Sequence, residues 1–149
     1  MTTVAHLTTV DLSLRSLLMA QLLGARDAGY AVVGISAPGP WVPELEAEGI
    51  RHIALHHSTR AVDARADARA ARELWSVLRR ERPTILHTHN PKPGLYGRVL
   101  GRLAGVPVVV NTVHGLYATD DDSWSKRAAV YGLEAVASRF SDAELVQNP

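Results

Sequence analysis

The chain has 149 residues, a formal net charge of +1, 46% hydrophobic residues and no cysteine. This length suffices for one α/β domain with a core, and the small net charge gives no electrostatic case for binding nucleic acid. The absence of cysteine excludes disulfides and thiolate metal sites, and it fits a reducing compartment. We see neither a signal peptide nor an apolar run of about 18 residues, so we expect a cytoplasmic protein.

Short runs rich in valine and isoleucine alternate with longer segments of helical period. This alternation predicts βα units around a parallel sheet. The predicted strands are residues 4–8, 31–36, 52–55, 84–89 and 107–114, with one more short strand after residue 141. The predicted helices begin at residue 11 or 13 and run to Gly29, then span about 44–48, 62–82, 94–104 and 125–139. The fold class that follows is a doubly wound, Rossmann-like α/β domain with helices on both sheet faces and strand order 3-2-1-4-5.

Histidines mark the end of the fourth predicted strand, TILHTH. Because strand side chains alternate, Ile85, His87 and His89 share one face. We interpret His87 as a buried, hydrogen-bonded structural residue and expect His89, at the strand tip, to be exposed to a ligand. The pair could also hold zinc if His114 supplied a third ligand, but no carboxylate motif of suitable spacing accompanies it, so we predict no metal.

The segment HNPKPG follows that strand and contains Asn90, Lys92 and Gly94. Two prolines are expected to stiffen this loop, and Gly94 either opens the next helix or lets the backbone approach a ligand. A helix N-terminus next to Lys92 suits phosphate or sugar hydroxyls. The alternative is a tight strand-to-helix connection with a solvated lysine.

Two further loops lie at the same predicted sheet edge. His114 ends the fifth strand, where a neutral imidazole can hydrogen-bond a hydroxyl, and Gly115 keeps the backbone open beside it. In the first loop, Asp11 and Ser13 either contact a ligand or cap the first helix. No G-x-G-x-x-G motif occurs, so NAD-type binding has no support.

Charged runs elsewhere are interpreted as solvated surface. The acidic run at 120–122 is assigned no metal. The arginines of residues 60–82 alternate with acidic residues, which is typical of a salt-bridged exposed helix face, and a basic stripe that meets anionic lipid is the alternative.

Three segments together resemble a known family: LLMAQLLGARDAGYAVVGISAPG, ILHTHNPKPGLYGRVLGRLAGVPVVVNTVHGLY and the terminal SDAELVQNP. The middle segment is the specific one. The chain resembles the N-terminal, acceptor-side domain of family 4 glycosyltransferases, which have the two-domain GT-B architecture, and especially the bacterial polysaccharide-assembly members. The resemblance implies retaining transfer of a sugar from a nucleotide-sugar, a co-substrate, without metal or other cofactor.

The same resemblance implies roles for individual residues. The family's histidine near the transferred sugar corresponds to His114, with Gly115 beside it. The acceptor-side loop corresponds to His89, Asn90, Lys92 and Gly94, and the family's first loop corresponds to residues 10–13, which include Asp11 and Ser13. The chain departs from the family in lacking glycine in this first loop and in having no donor-binding domain with a glutamate pair.

We therefore expect residues 1–149 to form a single domain, cut from a longer protein and inactive alone. Its expected partners are a sugar or lipid-linked sugar acceptor, the missing C-terminal donor domain and, peripherally, the inner membrane face. Two alternatives stay open. One is a stand-alone binding module or the acceptor subunit of a two-chain transferase. The other is a metal hydrolase built on His87, His89 and His114.

Overall fold

The computed structural model describes residues 1–115 and 118–147, which form a layered arrangement of strands and helices. The strands are β1 (Thr3–Val10), β2 (Ala31–Ala37), β3 (Arg51–Ala54), β4 (Ile85–His89), β5 (Val108–Val113) and β6 (Ala143–Val146). The helices are α1 (Asp11–Leu17), α2 (Met19–Asp27), α3 (Val42–Ala47), α4 (Ala64–Glu81), α5 (Pro91–Leu103) and α6 (Trp124–Ala137), followed by a 3₁₀ turn at Ser138–Phe140.

The six strands pair in parallel in the order β3-β2-β1-β4-β5-β6. The order reverses between β1 and β4, which confirms the predicted doubly wound α/β fold. In the register of this pair His6 lies opposite His87, and in the β4–β5 pair His89 lies opposite Thr112. The switch point therefore brings histidines from separate strands together.

Each face of the sheet has its own apolar core. On one face α1, α2 and α3 pack through Leu14, Leu22 and Leu45, one from each helix, around Val32 of β2. The opposite core is larger and joins α4 to the central strands through residues that include Ala5, Leu7, Val33, Ile35, Leu74, Leu78 and Leu86. Because strand side chains alternate, His6 points away from this larger core, toward the side of α1 and α2.

The predicted helix after residue 11 differs from the structure in its detail. It is interrupted at Leu18 and forms two helices, α1 and α2. Leu14, Leu18 and Leu22 are buried, whereas Leu17 is 53% exposed. Neither Asp11 nor Ser13 caps α1, since Val10 occupies the N-cap position and makes no side-chain cap bond.

Helix α5 begins at Pro91, three residues before the predicted start at Gly94. Proline is tolerated in the first turn of a helix because the N–H it lacks has no intrahelical partner there. A single residue, Asn90 with φ of 69°, joins β4 to α5. The predicted loop HNPKPG is therefore mostly helix, and Lys92 and Gly94 belong to its first turn.

Glycines let α5 lie directly on the sheet. A Cβ on Gly97 would stand 2.6 Å from Cδ2 of Leu7, and one on Gly101 would stand 2.6 Å from Cδ2 of Leu86. A Cβ on Gly94 would stand 3.0 Å from Oδ1 of Asn111. In this structure Gly94 serves close helix–sheet packing rather than an open loop.

A buried arginine ties this helix to the C-terminal elements. Arg98 on α5 is fully buried, and its guanidinium lies 2.6 Å from Glu134 of α6 and 2.8 Å from Glu144 of β6. Its Nε–H also donates to the carbonyl oxygen of Gly94. Charge-assisted bonds of this kind are strong, and they fix the exposed edge strand β6 to the body of the domain.

Candidate functional site

Four histidines, His6, His87, His89 and His114, form a cluster at the switch point of the sheet. Ring centroids are 4.1 Å apart for His87 and His89, 5.1 Å for His6 and His87, and 5.3 Å for His89 and His114. The register that places His6 beside His87 explains this contact, and alternation along β4 brings His89 onto the same face. Sequence reasoning missed His6, although it is a polar residue within an apolar strand.

Three of these rings are linked in series by their nitrogens. Nδ1 of His6 lies 3.2 Å from Nε2 of His89, and Nδ1 of His89 lies 3.1 Å from Nε2 of His114. Nδ1 of His114 hydrogen-bonds Oε1 of Gln147, just beyond β6. At the inner end, Nε2 of His6 is buried without a hydrogen-bond partner among the described residues.

His87 stands beside this series and has separate partners. Its Nε2 lies 2.7 Å from Oγ1 of Thr112, and its Nδ1 lies 3.4 Å from Nε2 of Gln21. The side chain is buried. The structure thus confirms the prediction that His87 is a buried, hydrogen-bonded residue.

Burial keeps the inner rings uncharged. Desolvation, with a smaller contribution from neighbouring His87, lowers the pKa of His6 to about 3. Desolvation and the proximity of His114 lower the pKa of His87 to about 4. The pKa of His89 is lowered as well, by burial first and then by the three surrounding histidines. These imidazoles are therefore neutral at pH 7 and act as hydrogen-bonding groups rather than as cations.

One nitrogen from each of His6, His87 and His89 lies within 4.8 Å of the others. Neutral imidazoles at this spacing are suitable zinc ligands. The trio includes His6, whereas the sequence had offered His114 as the third ligand. Coordination here would compete with hydrogen bonds that already use both nitrogens of His87 and of His89.

The expectation that His89 is exposed at the strand tip is wrong. The residue is only 1% exposed, because the rings of His6, His87 and His114 surround it. His114 is half-buried, and Gly115 beside it is exposed. Of this series, His114 is the ring that a ligand reaches first.

Lys92 is not the solvated lysine of the sequence-based alternative. Its Nζ lies 2.5 Å from Oδ1 of Asp67 on α4 and donates to the carbonyl oxygens of Thr59 and Ala61. These contacts use all three ammonium N–H groups. A phosphate could bind Lys92 only by replacing one of them, so its contact with the acceptor stays a prediction.

Asp11 and Ser13 occupy different environments. Asp11 is buried and accepts hydrogen bonds from the backbone N–H groups of Leu12 and Trp41, at 2.9 and 2.8 Å. It therefore fixes the turn that follows β2. Ser13 instead lines a cavity of about 310 Å³, whose other lining residues are Thr9, Leu17, Arg60, Asn90 and Pro91. The structure thus places Ser13 and Asn90 on the same cavity.

A second cavity, of about 220 Å³, shares Leu17 with the first. His114 and Gln147 line it together with Leu18, Gln21, Thr112, Leu145 and Val146. Leu17, at the end of α1, lines both cavities, which lie near the carboxyl ends of β1, β4 and β5. Ligands of open α/β sheets bind at this edge. A larger cavity of about 550 Å³ lies elsewhere, between β3 and α4, and contains none of the predicted site residues.

Comparisons with known proteins show the family and the fold of the chain. The parallel sheet and the helices on its two faces form a Rossmann-like α/β domain, and its structural neighbours include GT-B glycosyltransferases. Residues 15–148 match the family described as glycosyl transferase 4-like domain, and the chain belongs to this family of GT-B glycosyltransferases. The Escherichia coli UDP-Gal:alpha-D-GlcNAc-diphosphoundecaprenol alpha-1,3-galactosyltransferase is 33% identical over 101 residues, which are 68% of this chain and 26% of that protein. The chain therefore spans about a quarter of that relative.

Solved structures extend the likeness at the level of the fold. MurG of Acinetobacter baumannii superposes with a TM-score of 0.71 at 13% identity, over 100% of this chain and 42% of that one. The UDP-GlcNAc 2-epimerase of Methanocaldococcus jannaschii superposes with a TM-score of 0.60 at 10% identity, over 99% of this chain and 40% of that one. At such identities the likeness concerns the fold alone. No helix among residues 1–115 and 118–147 is long and apolar enough to cross a bilayer.

Proposed function

We propose that this chain is the acceptor-side domain of a retaining glycosyltransferase that moves a sugar from a nucleotide-sugar to a glycan or lipid-linked acceptor. The observation that carries the proposal is a pair of cavities that share Leu17, one lined by Ser13 and Asn90 and the other by His114. In this proposal an acceptor and a transferred sugar occupy these cavities on either side of Leu17. The name of the Escherichia coli relative supports a lipid-diphosphate-linked acceptor.

In this proposal the polar groups of one cavity contact the acceptor and His114 contacts the transferred sugar. The hydroxyl of Ser13 and the guanidinium of Arg60 contact the acceptor or its phosphate, together with Asn90. His114 hydrogen-bonds a hydroxyl of the transferred sugar as the bond from its anomeric carbon to the nucleotide phosphate breaks. The acceptor oxygen forms the new bond on the same face, and its proton passes to the departing phosphate.

The donor side of the reaction lies outside this domain. We propose that a C-terminal domain binds the nucleotide and stabilises the charge on the leaving diphosphate, that no metal or other cofactor takes part, and that this chain alone is inactive. A second chain that supplies the donor domain is the alternative arrangement. In either case the present domain provides one wall of a cleft.

Surface charge supports a peripheral membrane partner on the cytoplasmic side. Two acidic residues of α4 pair with groups outside the helix, Asp67 with Lys92 and Glu73 with His57, whereas Glu81 pairs with Arg51 and with Arg80 of α4 itself. The exposed Arg65, Arg69 and Arg72 have no ion pair among the described residues. The predicted salt-bridged face is therefore only partly formed, and its free arginines suit anionic lipid.

Binding to the isolated chain tests the acceptor assignment. A short-chain prenyl-diphosphate-linked N-acetylglucosamine should shift the amide NMR signals of Thr9, Ser13 and Asn90, whereas UDP should not. Ser13→Ala should weaken this binding, and Ser76→Ala on α4 serves as the control. The acceptor-side role would be contradicted if UDP shifted these amide signals, or if the prenyl-diphosphate-linked sugar left them unchanged.

Turnover tests the role of His114. In a two-domain enzyme that contains this chain, His114→Ala should lower kcat by about 100-fold, the effect of losing one transition-state hydrogen bond. His56→Ala, at an exposed histidine, should leave turnover unchanged. Unchanged turnover in His114→Ala would refute the role.

A further inference from the structure

His114 reaches the site as the outermost member of a hydrogen-bonded series. Both of its ring nitrogens are already engaged, Nδ1 by Gln147 and Nε2 by His89. His89 in turn contacts His6. We call the series His6–His89–His114 the histidine chain.

The chemistry of the partners gives this histidine chain a direction. Oε1 of Gln147 can only accept, so Nδ1 of His114 carries the proton. A neutral imidazole has one N–H, so Nε2 of His114 accepts from Nδ1–H of His89. By the same rule Nε2 of His89 accepts from Nδ1–H of His6.

The inner end of the histidine chain agrees with this direction. If every ring is the Nδ1–H tautomer, Nε2 of His6 is left with a lone pair and no proton. That atom is the buried one without a partner among the described residues. Burial keeps His6 and His89 neutral, as the direction requires. An unsatisfied buried acceptor destabilises a fold, and a leucine at position 6 would avoid that cost, so a role for the imidazole accounts for its presence.

We propose that His89 and His6 are positioning residues for His114. They hold its Nε2 inward as an acceptor, so that Nδ1–H points outward as a hydrogen-bond donor into the cavity lined by Gln147. A hydroxyl of the transferred sugar would replace Gln147 on this N–H. This last step rests on the proposed function, whereas the tautomers of the histidine chain do not.

Imidazole ¹⁵N NMR on the 149-residue chain tests the direction without any substrate, because protonated and unprotonated ring nitrogens have well-separated shifts. At pH 7 we expect His6, His89 and His114 to be Nδ1–H tautomers. The exposed His56 should show the tautomer mixture of a free imidazole. An Nε2–H tautomer at His89 or His114 would overturn the proposal.

The same sample distinguishes the histidine chain from a metal site. One equivalent of Zn²⁺ should leave the shifts of His6 and His89 unchanged. Stoichiometric loss of their Nδ1–H signals would show that the trio of His6, His87 and His89 binds metal, and it would refute a positioning role in the metal-bound protein.

Matched substitutions test the coupling to His114. His89→Asn keeps an N–H close to the position of Nδ1, so His114 should remain the Nδ1–H tautomer. In His89→Leu this donor is lost, and His114 should become a mixture of the Nδ1–H and Nε2–H tautomers. In the two-domain enzyme His89→Leu should lower kcat by about 100-fold with KM little changed, and His89→Asn should restore part of it. If His89→Leu does not fold, His6→Leu and His6→Asn provide the same comparison one ring further in.

The outcomes separate the two proposals. If the wild-type two-domain enzyme transfers no sugar while the tautomers are as expected, the proposed function fails and the histidine chain stands. If transfer occurs but both His89 variants keep the wild-type kcat and the Nδ1–H tautomer of His114, the positioning role of the histidine chain is refuted and the proposed function stands.

Discussion

Mild acid should destabilise this domain strongly, because its buried histidines stay neutral in the folded state. The pKa of His6 is lowered from 6.5 to about 3 and that of His87 to about 4. Their unfolded forms bind protons below pH 6.5 and their folded forms do not, so stability is complete above pH 6.5 and falls as the pH drops. At pH 5, about 1.5 units lower, each residue removes about 2 kcal/mol from the free energy of unfolding. His6 and His87 together remove about 4 kcal/mol, and His89 acts in the same direction.

Urea denaturation at pH 7 and pH 5 measures this loss, and stopping at pH 5 keeps most carboxylates ionised. A loss of about 4–6 kcal/mol is a large part of the roughly 5–15 kcal/mol that stabilises a typical domain. His6→Asn removes one titrating group and should reduce the difference between the two pH values by about 2 kcal/mol. His56→Gln, at an exposed position, should leave it unchanged. A free energy of unfolding that is equal at pH 7 and pH 5 would refute the reasoning.

Two further predictions concern packing and buried charge, and both are measured by chemical denaturation at pH 7. Gly97→Ala would place a Cβ 2.6 Å from Leu7, so it should destabilise the fold by about 1–3 kcal/mol. Gly24→Ala in α2, where nothing lies within 4 Å, should stabilise by about 0.5–1 kcal/mol, and equal effects of the two changes would contradict the packing argument. Arg98→Met leaves two carboxylates without their buried partner and should cost about 3–5 kcal/mol. Arg127→Met, at an exposed ion pair, should cost at most about 1 kcal/mol, so a similar small loss at Arg98 would argue against a strong buried pair.

The sheet was predictable because its strands are continuous apolar runs separated by helical periods. The strand order follows from the general rule for doubly wound sheets. The sequence predicts the start of α5 too late because Pro91 and Pro93 are typical of loops. Both prolines fit the first helical turn, which needs no backbone N–H from them.

The contacts within the site were beyond what the sequence shows. The residue His6 lies 81 positions before His87, and only the register of β1 against β4 brings them together. The burial of His89 follows from that contact and could not be inferred from its place at a strand tip. Lys92 likewise looked free because its partners Thr59, Ala61 and Asp67 come from a distant segment.

The outer end of the histidine chain depends on the most exposed strand of the sheet. All four residues of β6 are exposed, and the strand pairs with β5 alone. Edge segments of this kind open locally at a lower free energy than the whole domain unfolds. Gln147 follows β6 and lies beyond the ion pair of Arg98 with Glu144, so opening at the end of this strand frees Nδ1 of His114 without breaking that pair, and hydrogen exchange of the β6 amides would measure this opening. A ligand that accepts from Nδ1–H of His114 therefore has to replace only the hydrogen bond to Gln147, and the core of the domain stays intact.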